Sequence, residues 1–518
     1  MQIPIVLLPI LILLGTAAIT PIIEVIARAA KAEKARDIVA IAAFAASMYS
    51  LIQLYETVMV DGPQSYVFAT FGPDRGGVEI YADIYSVYFG LIFCGIGLMV
   101  AIYSLRYMEV DTGLDKYYAL LLILVAGMIG VAFSADFFNL FVFWEMMCIS
   151  SYTLVTFRKY RWEPVEAGFK YLIMSTLGSL LALYGISMLY GLVGNLNFSA
   201  LRAYVLTQGA STDPFTLYFI MGAIIAGFGV TAAMVPLHTW LPDAHPAAPS
   251  SISAMLSGVV IKAGVYSISR GLFAIFNPSV FDYGTVLIVF GVVTITIANV
   301  MALMQRDIKR LLAYSSVVNI GYILTGLGIG GYVLAHYHKV APEAAMSVAV
   351  FAIAGALFHL LNHAIGKGLL FLCSGCFVHE AGTRDIVELE GVGRRMLYSG
   401  TSFSIGLLAL AGVPPLSGFW SKLFIILAGF SVPDDGFLKV TSIIVVLNSI
   451  FAASYYLWLL QRIMLKTPKP TVSKAVEASL SMVLPVVLLA VACVLIGIWP
   501  GGIIRIATEA TKVLLGGW

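Results

Sequence analysis

From its second residue to about residue 500 the sequence is a succession of apolar runs roughly twenty residues long, the length at which an α-helix (1.5 Å per residue) crosses the hydrocarbon of a bilayer. Such runs leave few folds open. In hydrocarbon every backbone N–H and C=O must be satisfied internally, so the choice is helices or a closed barrel, and the two-residue alternation of barrel strands is absent. The spans are expected near 2–24, 38–60, 82–105, 117–135, 137–157, 168–193, 214–246, 249–275, 284–304, 310–333, 347–377, 399–430, 437–461 and 479–500. That gives an all-α polytopic membrane protein of about fourteen transmembrane helices with no soluble domain. The composition agrees: 60% of the 518 residues are hydrophobic, 11% are charged and the mean hydropathy is +0.95, far outside the range of water-soluble domains. The opening MQIPIVLLPILILL has no basic flank or small-residue cleavage site and reads as the first span.

Basic residues between spans fix the expected orientation, because Lys and Arg are retained on the cytoplasmic side. One set of alternate loops holds Arg158, Lys159, Arg161, Arg306, Lys309, Arg310, Arg394, Arg395, Arg462, Lys466, Lys469 and Lys474 among others. The opposite set holds only Arg75, Arg202, Arg270, Lys339, Lys439, Arg505 and Lys512. A multi-pass protein of the cell membrane with both termini outside is expected. A net charge of +2 gives no reason to invoke nucleic acid. The five cysteines all lie in apolar spans, and the pair Cys373 and Cys376 has no second pair nearby, which favours helix packing over a metal. No Gly-rich phosphate loop is present, and neither a cofactor nor a catalytic centre in this chain is expected.

Ionisable groups inside spans are the informative residues, since each costs at least about 2.5–3.5 kcal/mol to insert at a helix centre. Glu145, in FVFWEMMCISSY, is the only carboxylate deep in a span; the alternative reading is a structural, hydrogen-bonded acid. Lys262 lies about thirteen residues into its helix, too deep to reach the interface easily, and Lys422 is also in mid-span. Lys170 is nearer a helix start, where it either reaches the interface or pairs with Glu166 one turn away. In HLLNHAIGKGLL, residues 359–370, His359, His363 and Lys367 recur every fourth residue. Four residues turn a helix by about 400° and advance it about 6 Å, so the three form a row along one face. A buried histidine alone is usually a packing residue; aligned with a lysine it becomes a candidate proton relay whose sites titrate together.

Two spans are broken. Four prolines interrupt TAAMVPLHTWLPDAHPAAPS, residues 231–250, which carries His238, Asp243 and His245, and AGVPPLSGFWSK breaks the later span just before Lys422. Unwound backbone at membrane depth is tolerated where it is buried in protein or lines a cavity, and paired breaks are a pointer to an ion site. The breaks fall in the seventh and twelfth spans, five helices apart. This suggests two inverted five-helix repeats, at 117–275 and 284–461, preceded by three helices in 1–116 and followed by a last helix in 462–518.

The segments LFVFWE, PLHTWLPDAHPAAPS, GVVIKAGVYSISR, MQRDIKRLLAYSSVVNIGY, HLLNHAIGKGLLFL, GTRDIVELEGVGRRM and GVPPLSGFWSK together resemble the antiporter-like subunit family. That family includes the proton-channel subunits of respiratory complex I, the large subunits of Mrp-type sodium/proton antiporters, and matching subunits of membrane-bound hydrogenases and related ferredoxin-linked complexes. The resemblance implies a hydrophilic axis through the bilayer, with Glu145 on the fifth helix, Lys170 on the sixth, Lys262 on the eighth, Lys367 and its histidines on the eleventh and Lys422 on the twelfth. It also implies partners: other membrane subunits, with hydrophilic redox subunits in the respiratory members. Any redox activity is expected to belong to a larger oxidoreductase complex of which the chain is a membrane subunit. The family usually has a lysine on the seventh helix, five residues before the proline of the PLHTWLPDAH stretch, and that position here is Thr231. No acidic or basic residue lies between Pro214 and Leu237. The expected pathway is therefore Glu145, Lys170, Thr231, His238, Lys262, His359, His363, Lys367 and Lys422. The alternative is a largely non-conducting subunit with a degenerate first half; a solute permease fits less well, because the buried set suits protons better than a bulky ligand.

Overall fold

The computed structural model describes residues 4–32, 34–70, 77–209 and 211–516, so Arg75 and the start of the first expected span lie outside the described residues. The helices are α1 Ile5–Ala29, α2 Ala35–Asp61, α3 Ile84–Tyr107, α4 Leu114–Phe133, α5 Phe137–Val155 and α6 Trp162–Val193. A surface helix, α7 Phe198–Gln208, leads to α8 Pro214–Thr231, α9 Leu241–Ala247 and α10 Ser250–Phe273. Then come α11 Tyr283–Leu303, α12 Ile308–Tyr337, α13 Pro342–Ala381, α14 Leu397–Ala411, α15 Ser417–Phe430, α16 Gly436–Leu465, α17 Leu480–Ile498 and α18 Gly501–Leu515.

Among the described residues thirteen helices are long and apolar enough to cross a membrane, and the remaining expected span, 399–430, is divided between α14 and α15. The molecule is an all-α polytopic membrane protein. Three elements carried no span-length apolar signal: a hairpin of β1 Gln64–Thr70 and β2 Gly77–Ala82, and the helices α7 and α18. The segment from 462 onward thus contains two helices after α16, turned at Pro500.

Helix starts follow local chemistry. Asp83, Asp136, Asp213, Asp282, Asp307 and Asp435 each cap the N-terminus of the next helix by accepting backbone N–H bonds from its first turn. The two breaks occur where expected, and their freed carbonyls find partners. Trp240 Nε1 donates to the Val230 carbonyl at 2.8 Å beside the first break, and Lys422 Nζ donates to the Leu410 carbonyl at 2.7 Å beside the second. Gly412, at φ +87°, takes the left-handed turn that ends α14.

At the centre, α10, α12 and α13 pack on one another. Every residue from Ser250 to Phe273 is buried, Lys262 and Arg270 included. α10 meets the first break through Gly264, where a Cβ would stand 2.5 Å from the Ala232 backbone nitrogen, so only glycine allows this approach two residues after Lys262.

Candidate ion pathway

Lys262 is fully buried and follows a wide turn of α10, Leu256–Val260, in which the backbone takes the π-helical form. Its ammonium donates to the carbonyl of Ser257. Ser257 Oγ lies 2.6 Å from Ser316 Oγ on α12, and Ser316 Oγ donates onward to the Leu312 carbonyl at 2.8 Å, so Ser257 is the donor of the pair. Lys367, also fully buried, donates to that same Leu312 carbonyl at 3.0 Å and to Ser315 Oγ. Lys367 thus bonds Ser315 directly, whereas Lys262 bonds the Ser257 carbonyl and it is the Ser257 hydroxyl that meets Ser316.

One turn farther along α12, Asn319 donates to the Ser315 carbonyl at 2.6 Å and turns its Oδ1 toward His359 Nε2 at 3.0 Å. In that orientation Nε2 carries the ring proton and Nδ1 is the acceptor. Ser421 Oγ sits 2.9 Å from Nδ1, and the next residue is Lys422. Lys422 is buried, with its ammonium 5.1 Å from the Tyr322 ring centroid and beside a cavity of about 260 Å3 that Gly412, Ile426, Ser449 and Ile450 help to line. Among the described residues Lys262, Lys367 and Lys422 form no ion pair.

The row His359, His363 and Lys367 occupies the buried face of α13, but its hydrogen bonds run sideways to α12 and α15 and not along the row. His363 has Lys262, Lys367 and His359 as ionisable neighbours, and both its ring nitrogens are buried without a partner among the described residues. His245, which the break brings in, is in the same condition: buried, stacked on Phe371 at 4.4 Å, and surrounded by Lys309, Lys367 and Lys262. Lys309, counted among loop residues in the sequence, is a buried member of the first turn of α12 and donates to the Ala248 carbonyl at 2.6 Å.

The first half is arranged differently. Glu145 is half-buried and shares a stripe of α5 with Phe138, Val142 and Ile149, each about half exposed. Its Oε1 has no hydrogen-bond partner among the described residues. Thr231, buried at the end of α8, and Glu145 both adjoin Cys148. Lys170 is 48% exposed and is held by Glu166 at 3.0 Å and Asp243 at 3.1 Å, away from the buried lysines. His238 is half-buried in the first break with Tyr314 beside it and Nδ1 unpartnered. Lys262, His359, His363, Lys367 and Lys422 are thus brought together, whereas Lys170 is not. Ser315, Ser316, Asn319 and Ser421 complete the set. The four-residue spacing of Ser315 and Asn319 in an apolar helix, equal to that of His363 and Lys367, is the signal that could have found two of them.

Residues 134–448, which contain every candidate pathway residue, match the family model described as "NADH:quinone oxidoreductase/Mrp antiporter, TM". The chain belongs to this family. Residues 75–118 match a second model, "NADH-Ubiquinone oxidoreductase (complex I), chain 5 N-terminus". Family relatives include Na(+)/H(+) antiporter subunit A1 of Staphylococcus haemolyticus, 32% identical over 85% of this chain and 54% of the relative. The subunit A1 of Staphylococcus aureus is 34% identical over 82% and 53%. The chain spans about half the length of these curated relatives. Among solved structures, a chain of the membrane-bound sulfane sulfur reductase, an archaeal respiratory membrane complex, superposes with a TM-score of 0.83 at 27% identity, covering 98% of this chain and 97% of that one. A chain of the Mrp complex from Dietzia sp. DQ12-45-1b gives 0.83 at 23% identity over 98% and 97%, and one of respiratory complex I from Thermus thermophilus gives 0.73 at 21% over 96% and 99%. These last two show a common fold.

Proposed function

We propose that the chain is an ion-translocating membrane subunit of a larger complex, and that it moves protons along Lys262, Lys367, His359 and Lys422. The observation that carries this reading is the gathering of these groups around α12 and α15: Ser257 bonds Ser316, Lys367 bonds Ser315, His359 lies between Asn319 and Ser421, and the amines of Lys262 and Lys422 are each held by a backbone carbonyl beside them. Its energetics are those of buried amines without counter-charges. An ammonium in a low-dielectric interior with no carboxylate against it is costly, and a second one nearby raises the cost through like-charge repulsion. Protonation of one amine therefore disfavours protonation of the next, so loading a proton at one end favours release at the other. Hydroxyls and the imidazole between them accept and donate without carrying charge at rest.

The chain is further proposed to sit in the cell membrane with both termini outside, as two antiporter-like repeats, 117–275 and 284–461, between the helices of 1–116 and 462–518. Its partners are other membrane subunits. Two energy sources are proposed: exchange against a sodium gradient, in keeping with relatives named as Na(+)/H(+) antiporter subunits, or hydrophilic redox subunits, in keeping with a likeness to a chain of a respiratory membrane complex. Glu145 without a basic partner and Thr231 at the seventh-helix position favour a second reading confined to the first half, that it contributes structure more than conduction.

Purifying the native assembly, identifying its subunits and reconstituting it in vesicles tests the proposal. A sodium gradient or the electron donor of the co-purified redox subunits should change internal pH. An intact assembly that leaves the pH unchanged under both driving forces overturns it.

A further inference from the structure

We propose that the cavity beneath the β1–β2 hairpin is the port through which Lys262 exchanges protons with one face of the membrane, and that the ion pair of Asp83 and Arg270 closes it. The inference rests on the pathway reading above and adds a branch that none of its residues supplies.

Lys262, Tyr266, Ser269 and Arg270 follow one another along α10 at steps of four, three and one residues, one side of the helix leading from its buried centre to its C-terminal end. At that end lies a cavity of about 320 Å3, lined by Glu79, Tyr81, Asp83, Arg202 and Arg270 among others. Arg270 donates from one terminal nitrogen to Asp83 Oδ2 at 2.6 Å, and both side chains are buried, at 7% and 2% exposure. Its Nε has no partner among the described residues, and its guanidinium stands 5.9 Å and 5.8 Å from the ring centroids of Tyr81 and Tyr85. Asp83 Oδ1 accepts from the Ser86 N–H and hydroxyl, both at 2.8 Å.

Behind the pair the groups are hydroxyls. Tyr85 donates to Ser269 Oγ at 2.5 Å, since Ser269 gives its own proton to the Val265 carbonyl. Tyr266 adjoins Ser86 and Asp83 and donates to the Ala132 carbonyl, and its ring stacks on Tyr85. Tyr266 follows Lys262 by one helical turn, about 6 Å along the axis, and the port requires bridging water between the Tyr266 hydroxyl and the Lys262 ammonium, which bonds the Ser257 carbonyl. A tie serving only to join α3 to α10 would not need this polar column between itself and the central lysine. When the pair opens, a proton leaves the Lys262 ammonium, passes along the hydroxyls and enters the cavity, and Lys262 remains as the neutral amine.

The test uses the intact assembly in vesicles, with a charged, membrane-impermeant thiol reagent applied from the hairpin side to Ser269→Cys, in a background whose five native cysteines are replaced. Adding Asp83→Asn should raise the labelling rate at least about ten-fold by removing the charge that holds the guanidinium. It should also give undriven vesicles a passive proton leak, which Lys262→Ala abolishes. Unchanged labelling and no leak in an assembled complex overturn the port. If Asp83→Asn does not assemble, Tyr266→Phe decides: driven translocation should fall several-fold with assembly intact, and an unaltered rate overturns the port. Loss of translocation in Lys422→Ala alongside insensitivity at Asp83 and Tyr266 would leave the main pathway standing without this branch.

Discussion

His359 Nδ1 lies 2.9 Å from Ser421 Oγ, which joins the long helix α13 to the broken helix α15 one residue before Lys422. The contact turns a histidine buried in α13 into a neighbour of the last lysine of the row. Ser421→Ala leaves the ring nitrogen buried and unpartnered. The net worth of such a bond is about 1 kcal/mol, so translocation should slow by roughly five-fold with assembly unaffected. Ser421→Thr, which keeps the hydroxyl, should retain most of the rate. Proton uptake by vesicles holding the reconstituted complex measures both, and equal rates for Ala and wild type would remove Ser421 from the path.

The two halves should contribute unequally. Thr231 hydrogen-bonds but carries no charge at neutral pH, and Glu145 faces a half-exposed apolar stripe with its Oε1 unpartnered. Glu145→Gln is therefore expected to cost less translocation than Lys422→Ala in the same assembled complex. The reverse order would mean that another base serves Glu145.

The close approach of α10 to the first break should be sensitive to a single methyl group. Gly264→Ala places a Cβ 2.5 Å from the Ala232 nitrogen, a backbone atom that cannot swing aside. Overpacking of this kind costs about 1–3 kcal/mol, so the variant should unfold at lower temperature in detergent than the parent. An unchanged midpoint would show that the helices separate without penalty.

Orientation is open to a direct check. Single cysteines introduced at positions 159–161 or 306 should react with an impermeant reagent only in inverted vesicles. Labelling from outside in sealed cells would reverse the topology.

Much of this architecture could be read from residue order because it is written locally. A twenty-residue apolar run needs no distant partner to become a helix, and proline clusters such as those at 236–249 break one wherever they fall. The row of His359, His363 and Lys367 was legible for the same reason, being spaced along one helix. What remained hidden depends on contacts across the fold. Lys170 finds Asp243 seventy-three positions away, and His359 finds Asn319 and Ser421 on two other helices. Serine and asparagine in a span carry no insertion penalty comparable to lysine's, so only the four-residue spacing of Ser315 and Asn319 sets them apart from packing residues, and Ser316 lacks even that. Hydropathy places Glu145 in the middle of a span but does not say which face of the helix turns inward, and in the fold that face is half-exposed. Lys309 was misjudged in the opposite sense, because a basic residue beside Arg306 and Arg310 reads as loop although α12 begins there.

Proton translocation by the intact, driven assembly carrying Lys367→Ala is the most direct measurement of the central claim, because this lysine bonds Ser315 and shares the Leu312 carbonyl with Ser316. Protons move between groups joined directly or through bridging water, and alanine leaves a gap of about one helical turn where the ammonium stood. The gradient formed should fall to about a tenth of the parent's or less, a loss of at least about 1.4 kcal/mol in the rate-limiting transfer, with the subunit content of the complex unchanged. A near-normal gradient from the fully assembled variant would contradict a relay through Lys367.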